Sequence, residues 1–265
     1  MNIIQALILG IIQGITEFLP VSSSTHLTLA KRLMGIQPNE WMVYFDLICH
    51  FGTLFAVLTL LWKDVWKILR SPRLMALFIL ALTPLIPAYF LFKPLRILWA
   101  QDAGFFLIGS SILMYAASSR FFARAPSAVC CGDNFSQTPA IEAAKWHNVL
   151  WIGIAQSFAL LPGVSRSGST ISIARMLGWE WKEAARFSFL LSIPTILGGS
   201  AMETVHAYHT LASIPWDVCA IGFGASLITG MGAVRLFFWM LNRGTLRPFA
   251  WYCMAVAIIA LIGLK

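Results

Sequence analysis

The sequence predicts an all-α polytopic membrane protein, with six transmembrane helices plus two re-entrant helical hairpins arranged in an inverted-topology repeat. Composition is the first observation behind this fold class. Hydrophobic residues make up 58% of the 265 residues and charged residues 11%, whereas a soluble domain has roughly 25% charged residues. So few charges do not cover the surface of a soluble fold, which argues against a cytosolic enzyme, a nucleic-acid-binding protein and a disordered regulator.

The second observation is a set of six apolar stretches. The length of each is close to or within the roughly 17–25 residues that a spanning helix needs, so each is a predicted transmembrane span. They cover residues 46–62, 74–92, 103–119, 187–205, 218–240 and 249–264. The basic loop at 63–73 is expected on the cytoplasmic side, which places both termini outside and accounts for part of the net charge of +8. We expect one integral membrane domain over 1–265, with halves at 1–119 and 147–265 and a cytoplasmic linker at 120–146.

An internal repeat is the third observation. The apolar stretches 3–34 and 147–177 are each interrupted by Pro, Gly, Ser and Thr, and irregular backbone at membrane depth persists only where protein or a wet cavity surrounds it. A constant offset of 143 aligns residues 10–35 with 153–178, with eight identities in 26 positions. The identical residues of the first copy are Gly10, Ile11, Gln13, Val21, Ser22, Ser24, Arg32 and Gly35. Two hairpins that enter from opposite sides place a site at the midplane.

The hairpin tips are expected to present two helix N-termini. Pro20 and Pro162 end the first helix of each hairpin, and Ser22 and Ser165 are predicted N-caps of the second. Helix N-termini carry free N–H groups and a positive dipole end, so two of them meeting at mid-membrane form an anion site. The segment Gly163-Val-Ser-Arg-Ser-Gly168 adds flexible backbone that could surround phosphate oxygens.

Each of these apolar stretches carries a charged residue near its break. Glu17 follows Gln13 by one helical turn, and an intramembrane acid is functional by default, although a neutral Glu in a helix interface is the structural alternative. Arg166 has the planar fork of donors that suits phosphate, with a snorkelling cation or a structural salt bridge as the alternatives. The residues predicted to bind substrate are Gln13, Ser22, Ser165, Arg166, Ser167 and Gly168.

His26 lies three residues after Ser23 and four after Ser22, so its imidazole is expected near both hydroxyls. It could take a proton from Ser or give one to a leaving group, or it could simply pack or cap. Asp46 and His50 are interpreted as structural, with Asp46 able to contact the first hairpin. A carboxylate, hydroxyls, an imidazole and a guanidinium are together the equipment for phosphoryl transfer on a lipid substrate.

Two segments resemble the signatures of one family over essentially the whole chain. Gln13-Gly-Ile-Thr-Glu17-Phe-Leu-Pro-Val-Ser-Ser-Ser-Thr-His26 and Pro162-Gly-Val-Ser-Arg166-Ser-Gly-Ser-Thr170 resemble those of the bacterial undecaprenyl-diphosphate phosphatases, the bacitracin-resistance family. The resemblance implies an inner-membrane enzyme that removes the terminal phosphate of undecaprenyl diphosphate. It also implies an active site facing the extracytoplasmic side, a divalent cation (Mg²⁺ or Ca²⁺) as cofactor, and a homodimer.

The resemblance also implies roles for single residues. Gln13 and Glu17 match positions that bind the metal and the diphosphate and act as base, with Glu17 the metal ligand in this chain. Ser23 matches the nucleophile, His26 the catalytic histidine, and Arg166 the phosphate-binding arginine. Whether Ser23 or water attacks, and whether Glu17 or His26 is the base, stays open.

The chain departs from the family pattern at two positions. Thr25 stands where a glycine is common, and threonine does not readily take positive φ. Gln13 stands where an acid is common, so Glu17 must supply any carboxylate chemistry alone. A lipid-phosphate transporter or flippase is the alternative function, since inverted repeats are typical of transporters, but a carrier needs no nucleophile and base. A membrane scaffold would explain neither Glu17 nor Arg166.

Overall fold

The computed structural model describes residues 1–37, 39, 41–99, 102–119, 141, 144–207 and 215–263. These residues form twelve α-helices and short 3-10 turns, and they contain no β-strand. The helices are α1 (Ile3–Phe18), α2 (Ser23–Leu33), α3 (Trp41–Leu60), α4 (Trp62–Arg70), α5 (Pro72–Leu82), α6 (Leu85–Leu98), α7 (Ala103–Ala117), α8 (Trp146–Ser157), α9 (Arg166–Met176), α10 (Trp181–Ala207), α11 (Trp216–Met240) and α12 (Arg247–Gly263).

The all-α prediction is confirmed, and most of the described residues in each of the six predicted spans are helical. Three helical stretches within the described residues are long and apolar enough to cross a membrane, namely Trp41–Leu60, Pro72–Leu95 and Trp216–Arg243. Ile3–Phe18, Ala103–Ala117 and Arg247–Ile262 are apolar but shorter. The full count of six spans and two re-entrant hairpins therefore stays a prediction.

The span predicted at 74–92 is not one straight helix. Helix α5 begins with Pro72 after the cap Ser71, and it ends at Leu82. Helix α6 begins after Pro84, whose ring has no N–H and clashes with a preceding carbonyl, so the helical ladder cannot continue through it. Most of the predicted linker, residues 120–140, 142 and 143, lies outside the described residues.

Both interrupted stretches fold as two helices joined at a break, α1 with α2 and α8 with α9. Helix α1 packs mainly on α11 and also on α3, while α8 packs on α5 and α9, and α9 on α7 and α10. Gly10 and Gly153 are partners in the repeat, and each lies where an added Cβ would meet backbone of a neighbouring helix, at Gly222 and Ala81 respectively. Glycine at both positions lets the helix backbones touch.

An aromatic contact joins α1 to α10 beside the residues Glu17 and Ser188. The rings of Phe18 and Phe189 meet edge to face with centroids 5.3 Å apart, and both side chains are fully buried. Phe18 follows Glu17 directly, and Phe189 follows Ser188 directly. Since buried aromatic pairs have few alternative arrangements, this contact holds the neighbouring polar residues in register.

Candidate active site

The two helix breaks meet at a cleft of about 260 Å³. Its walls come from both breaks, from α3, and from α6 and α10. The lining residues are Thr16, Glu17, Ser22, Ser23, Ser24, Leu47, His50, Leu85, Gln156, Ala159, Leu160, Val164, Ser165, Arg166, Ser167, Thr195, Ile196, Gly199 and Ser200. Residues of the two repeat copies thus share one cavity.

The break between α1 and α2 has an unusual backbone at Ser22. Its φ is 66° and its side chain accepts no hydrogen bond from a first-turn amide; instead its hydroxyl pairs with the hydroxyls of Ser24 and Thr25. The prediction that Ser22 caps α2 with its side chain is therefore wrong. A capping residue needs an extended backbone, and at positive φ the hydroxyl is directed elsewhere. Ser22 is the one non-glycine residue at positive φ in the described chain.

The break between α8 and α9 follows the prediction for Ser165. Its side chain accepts from the amide of Gly168 at 3.1 Å, as an N-cap does. Its own amide donates to Ser110 Oγ of α7 at 3.0 Å. Ser167 Oγ donates to the carbonyl of Leu19 at 3.2 Å, which joins this break to the other one.

Glu17 is the central group of the cleft. Its Oε2 accepts from Gln13 Nε2 at 3.0 Å and from Ser23 Oγ at 2.9 Å. Its Oε1 accepts from Arg166 Nη2 at 2.8 Å. The carboxylate is nearly buried, at 7% side-chain exposure, so its neighbours take the place of water as its solvent.

Arg166 begins α9 and reaches across the cleft to Glu17, 149 positions earlier in the chain. A second guanidinium nitrogen, Nη1, donates to the carbonyl of Ser188 at 3.1 Å. The structure confirms that one connected network joins four residues predicted to lie near one another, namely Gln13, Glu17, Ser23 and Arg166. A salt bridge, the alternative role for Arg166, is present as well and lies in the cleft itself.

His50 is a residue that the sequence reasoning missed. It lies on α3 and lines the cleft, with Nε2 3.6 Å from Glu17 Oε2. Its Nδ1 is 2.7 Å from the carbonyl of Asp46, and a carbonyl only accepts, so Nδ1 is the donor and Nε2 faces the carboxylate. His50, like Glu17, is an ionisable residue within an apolar stretch, and such residues are functional by default. Asp46 contacts the first helix pair through Lys31, as expected.

His26 does not line the cleft. Its Nδ1 lies 2.8 Å from the carbonyl of Ser22 and its Nε2 lies 2.9 Å from the hydroxyl of Tyr252. The rings of His26 and Tyr252 are stacked, with centroids 5.6 Å apart. Both ring nitrogens are therefore engaged, and neither of them hydrogen-bonds a serine hydroxyl in this arrangement.

The two departures from the family pattern have structural consequences. Thr25 lies within helix α2 and is buried, so this position does not require positive φ and threonine fits it. Gln13 is fully buried, and its Oε1 has no hydrogen-bond partner although its Nε2 binds Glu17. A free acceptor therefore lies beside the carboxylate.

This acceptor bears on the metal prediction. No group of three His, Cys, Asp or Glu side chains in the described ranges is placed to hold a metal ion alone. Mg²⁺, however, is usually held by one or two carboxylates together with substrate phosphates. Glu17 and the unpaired oxygen of Gln13 fit that partial set, with phosphate oxygens as the remaining ligands.

The arrangement can bind and split a phosphate ester or anhydride. A hydroxyl donates to a buried carboxylate, as in an activated nucleophile. A guanidinium and the N-terminus of α9, capped by Ser165, lie at the same cleft and suit an anion. The apolar residues Leu85, Leu160 and Ile196 line the cleft beside these polar groups, so the cavity suits a ligand that is part phosphate and part lipid.

Comparison with known proteins gives one consistent result. The family model described as bacitracin resistance protein BacA matches residues 6–259. An undecaprenyl-diphosphatase of Halothermothrix orenii is 34% identical over 272 residues, covering 99% of this chain and 98% of that protein. One of Protochlamydia amoebophila is 35% identical over 268 residues, covering 97% of each chain. One of Novosphingobium aromaticivorans is 34% identical over 282 residues, covering 98% and 97%.

Proposed function

The chain belongs to the bacitracin resistance protein BacA family, and from that membership we propose how its cleft works as an undecaprenyl-diphosphatase. The protein is a multi-pass membrane hydrolase. It removes the terminal phosphate of undecaprenyl diphosphate to give undecaprenyl phosphate, the lipid carrier for cell-wall precursors, an activity that confers bacitracin resistance. The reaction mechanism, the cation and the membrane orientation are proposals.

One observation carries the mechanism: the hydroxyl of Ser23 donates to Glu17 Oε2 at 2.9 Å while Arg166 binds the other oxygen of the same carboxylate. The nucleophile, its base and the phosphate-binding cation are thus already connected. Attack by Ser23 with Glu17 as base is favoured over the use of His26, because His26 has both nitrogens engaged outside the cleft.

The proposed reaction has two steps. Ser23 Oγ attacks the terminal phosphorus and its proton moves to Glu17 Oε2, while the bond to the bridging oxygen breaks and undecaprenyl phosphate leaves. Glu17 passes this proton to the departing phosphate and is again a carboxylate. Water then attacks the phosphoserine and loses a proton to Glu17, the Ser23–phosphorus bond breaks, and Glu17 returns the proton to Ser23 Oγ as inorganic phosphate leaves. Arg166 and the amides at the start of α9 bind the phosphate oxygens on which negative charge increases.

A divalent cation, Mg²⁺ or Ca²⁺, is proposed as cofactor, held by Glu17 and Gln13 Oε1 together with the diphosphate. The free Gln13 oxygen and the buried carboxylate support this assignment. When bound, such a cation neutralises phosphate charge and polarises the phosphoryl oxygens. Arg166, Ser23 and the helix N-terminus supply orientation.

We also propose that both helix breaks are re-entrant hairpins within six membrane spans, in the bacterial inner membrane, with the cleft facing the extracytoplasmic side. The buried polar tips support this arrangement, since Ser22, Ser165 and Ser167 lie inside the protein and irregular backbone at membrane depth needs such protection. A homodimer belongs to the same proposal.

The test is phosphate release from undecaprenyl diphosphate in detergent micelles, with Mg²⁺, with Ca²⁺ and with a chelator. The assay compares wild type with Glu17→Ala and Arg166→Ala. Thr195→Val is the control, because Thr195 lines the cleft but its hydroxyl hydrogen-bonds only within its own helix, to the carbonyl of Leu191. We expect cation-dependent release by wild type and Thr195→Val and loss in the other two. Folded wild type that releases no phosphate would refute the hydrolase and direct attention to lipid-phosphate translocation.

A further inference from the structure

Gln156 is a buried residue of α8 that the mechanism above does not use. It is 1% exposed and lines the cleft, and neither its Nε2 nor its Oε1 has a hydrogen-bond partner. An unsatisfied buried amide is costly and rare in folded proteins. Both atoms are closed off from bulk solvent.

The internal repeat explains why this amide lacks a partner. Gln156 is the counterpart of Gln13, whose amide binds the carboxylate one turn later. The same offset of 143 places Leu160 at the position of Glu17. The second copy thus keeps the amide and has an apolar residue in place of the carboxylate, so the anion that Gln13 meets within the protein is missing next to Gln156.

We expect the bound ligand to supply the missing anion. The residues of the cleft walls indicate which phosphate of the ligand lies next to Gln156. The first copy contributes the reactive groups, Glu17 and Ser23. The second contributes Gln156 with the apolar residues Ala159 and Leu160. The phosphate that remains attached to the prenyl chain must lie nearer to apolar walls than the terminal phosphate does.

We propose that Gln156 is a substrate-binding residue whose amide donates to the prenyl-linked phosphate of the bound diphosphate. This inference rests on the proposed phosphatase mechanism and deepens it. Glu17 and Ser23 of the first repeat copy then act on the terminal phosphate, together with Arg166 of the second copy, and Gln156 of the second copy holds the phosphate that leaves with the lipid. This binding mode requires the Gln156 side chain to rotate so that its amide enters the cleft that the residue lines.

The experiment uses Gln156→Leu in micelles, because leucine keeps the volume and removes both polar atoms. We measure KM for undecaprenyl diphosphate and inhibition constants for the two products. Undecaprenyl phosphate carries only the prenyl-linked phosphate, and inorganic phosphate reports the terminal position. A hydrogen bond to a charged group corresponds to a factor of roughly ten or more in affinity. We expect KM and the constant for undecaprenyl phosphate to rise about tenfold and that for inorganic phosphate to stay within about twofold.

The thermal midpoint separates this role from a structural one. Loss of an unsatisfied amide should leave the midpoint unchanged or raise it, and Ser157→Ala, the next residue with its hydroxyl bonded to Gly153, should leave all the binding constants unchanged. A lowered midpoint with unchanged constants, or an equal rise for both products, would overturn the proposal. Should the leucine variant not fold, Gln156→Met replaces it. Absence of activity in wild type would instead refute the proposed function.

Discussion

The connection between Ser23 and Glu17 predicts strong coupling between two substitutions. Ser23→Ala removes the nucleophile, and Glu17→Gln keeps the shape of the side chain while removing its capacity as a base. The two oxygens are 2.9 Å apart, within the reach that a general base needs. Loss of such a base costs about 10²–10⁴ in kcat, which corresponds to about 2.7–5.4 kcal/mol in activation free energy.

If Glu17 acts through Ser23, the double variant should be no more than about threefold slower than the slower single variant, because residues that act as a unit are not additive. The assay is phosphate release at saturating lipid in micelles, with Thr195→Val as the reference for a harmless change in the cleft. Losses that multiply would show that Glu17 and Ser23 act independently, and water would then be the better candidate for the nucleophile.

Glu17→Gln also leaves the Arg166 guanidinium without its carboxylate. Breaking a buried ion pair costs about 3–5 kcal/mol in stability, and this pair is 2.8 Å long with side chains only 13% and 7% exposed. The thermal midpoint of each variant is therefore measured beside its rate. A rate loss without a comparable midpoint loss assigns the effect to chemistry.

Three further predictions concern stability. Ser22→Gly should raise the thermal midpoint by about 2–4 °C, because glycine tolerates the φ of 66° and relieves about 1 kcal/mol of strain. Gly163→Ala should lower it by several degrees, because φ is 92° and an added Cβ would overlap backbone. Asp64→Asn should raise it near pH 7 and less near pH 4. Burial raises the pKa of the Asp64 carboxyl, and the positive charge of Arg186 only partly offsets this effect. The folded state therefore binds the carboxyl proton more tightly than the unfolded state does. The stability that the protonated carboxyl contributes is lost as pH rises through its folded-state pKa.

Each of these has a clear contrary result. An unchanged or lowered midpoint for Ser22→Gly would mean that the contacts of the Ser22 hydroxyl outweigh the strain. Gly109→Ala is the matched control for Gly163→Ala, because an added Cβ there would meet no atom of another element within 4 Å. Equal losses would contradict the steric argument. A greater gain for Asp64→Asn at pH 4 than at pH 7 would show that attraction to Arg186 dominates burial.

The repeat made the centre of the site predictable from sequence. Glu17 and Arg166 are 149 positions apart, and their contact follows from two interrupted helices that meet at their tips. Symmetry between the copies supplies this long-range information, which local propensity lacks. Ser165 as an N-cap was predictable for another reason, since capping depends on a few neighbouring residues.

Other features depend on tertiary packing. The direction of the His50 side chain depends on how α3 rotates against α1, and a lone histidine in an apolar span does not determine that rotation. The pairing of His26 with Tyr252 joins residues 226 positions apart, and the internal repeat does not predict it. At Ser22 the residue type is right for a cap, and only the backbone angle decides that it does not act as one.

The bridge between Glu17 and Arg166 also sets the charge balance of catalysis. One negative and one positive group cancel in the cleft, and among its described lining residues Arg166 is the sole Lys or Arg. A diphosphate brings two or more negative charges into this neutral, largely desolvated space, which is costly unless positive charge enters with it. We therefore expect lipid and cation to bind as partners: each should increase the affinity of the other by the same factor, so that cation depletion at constant lipid weakens substrate capture before it slows the chemical step.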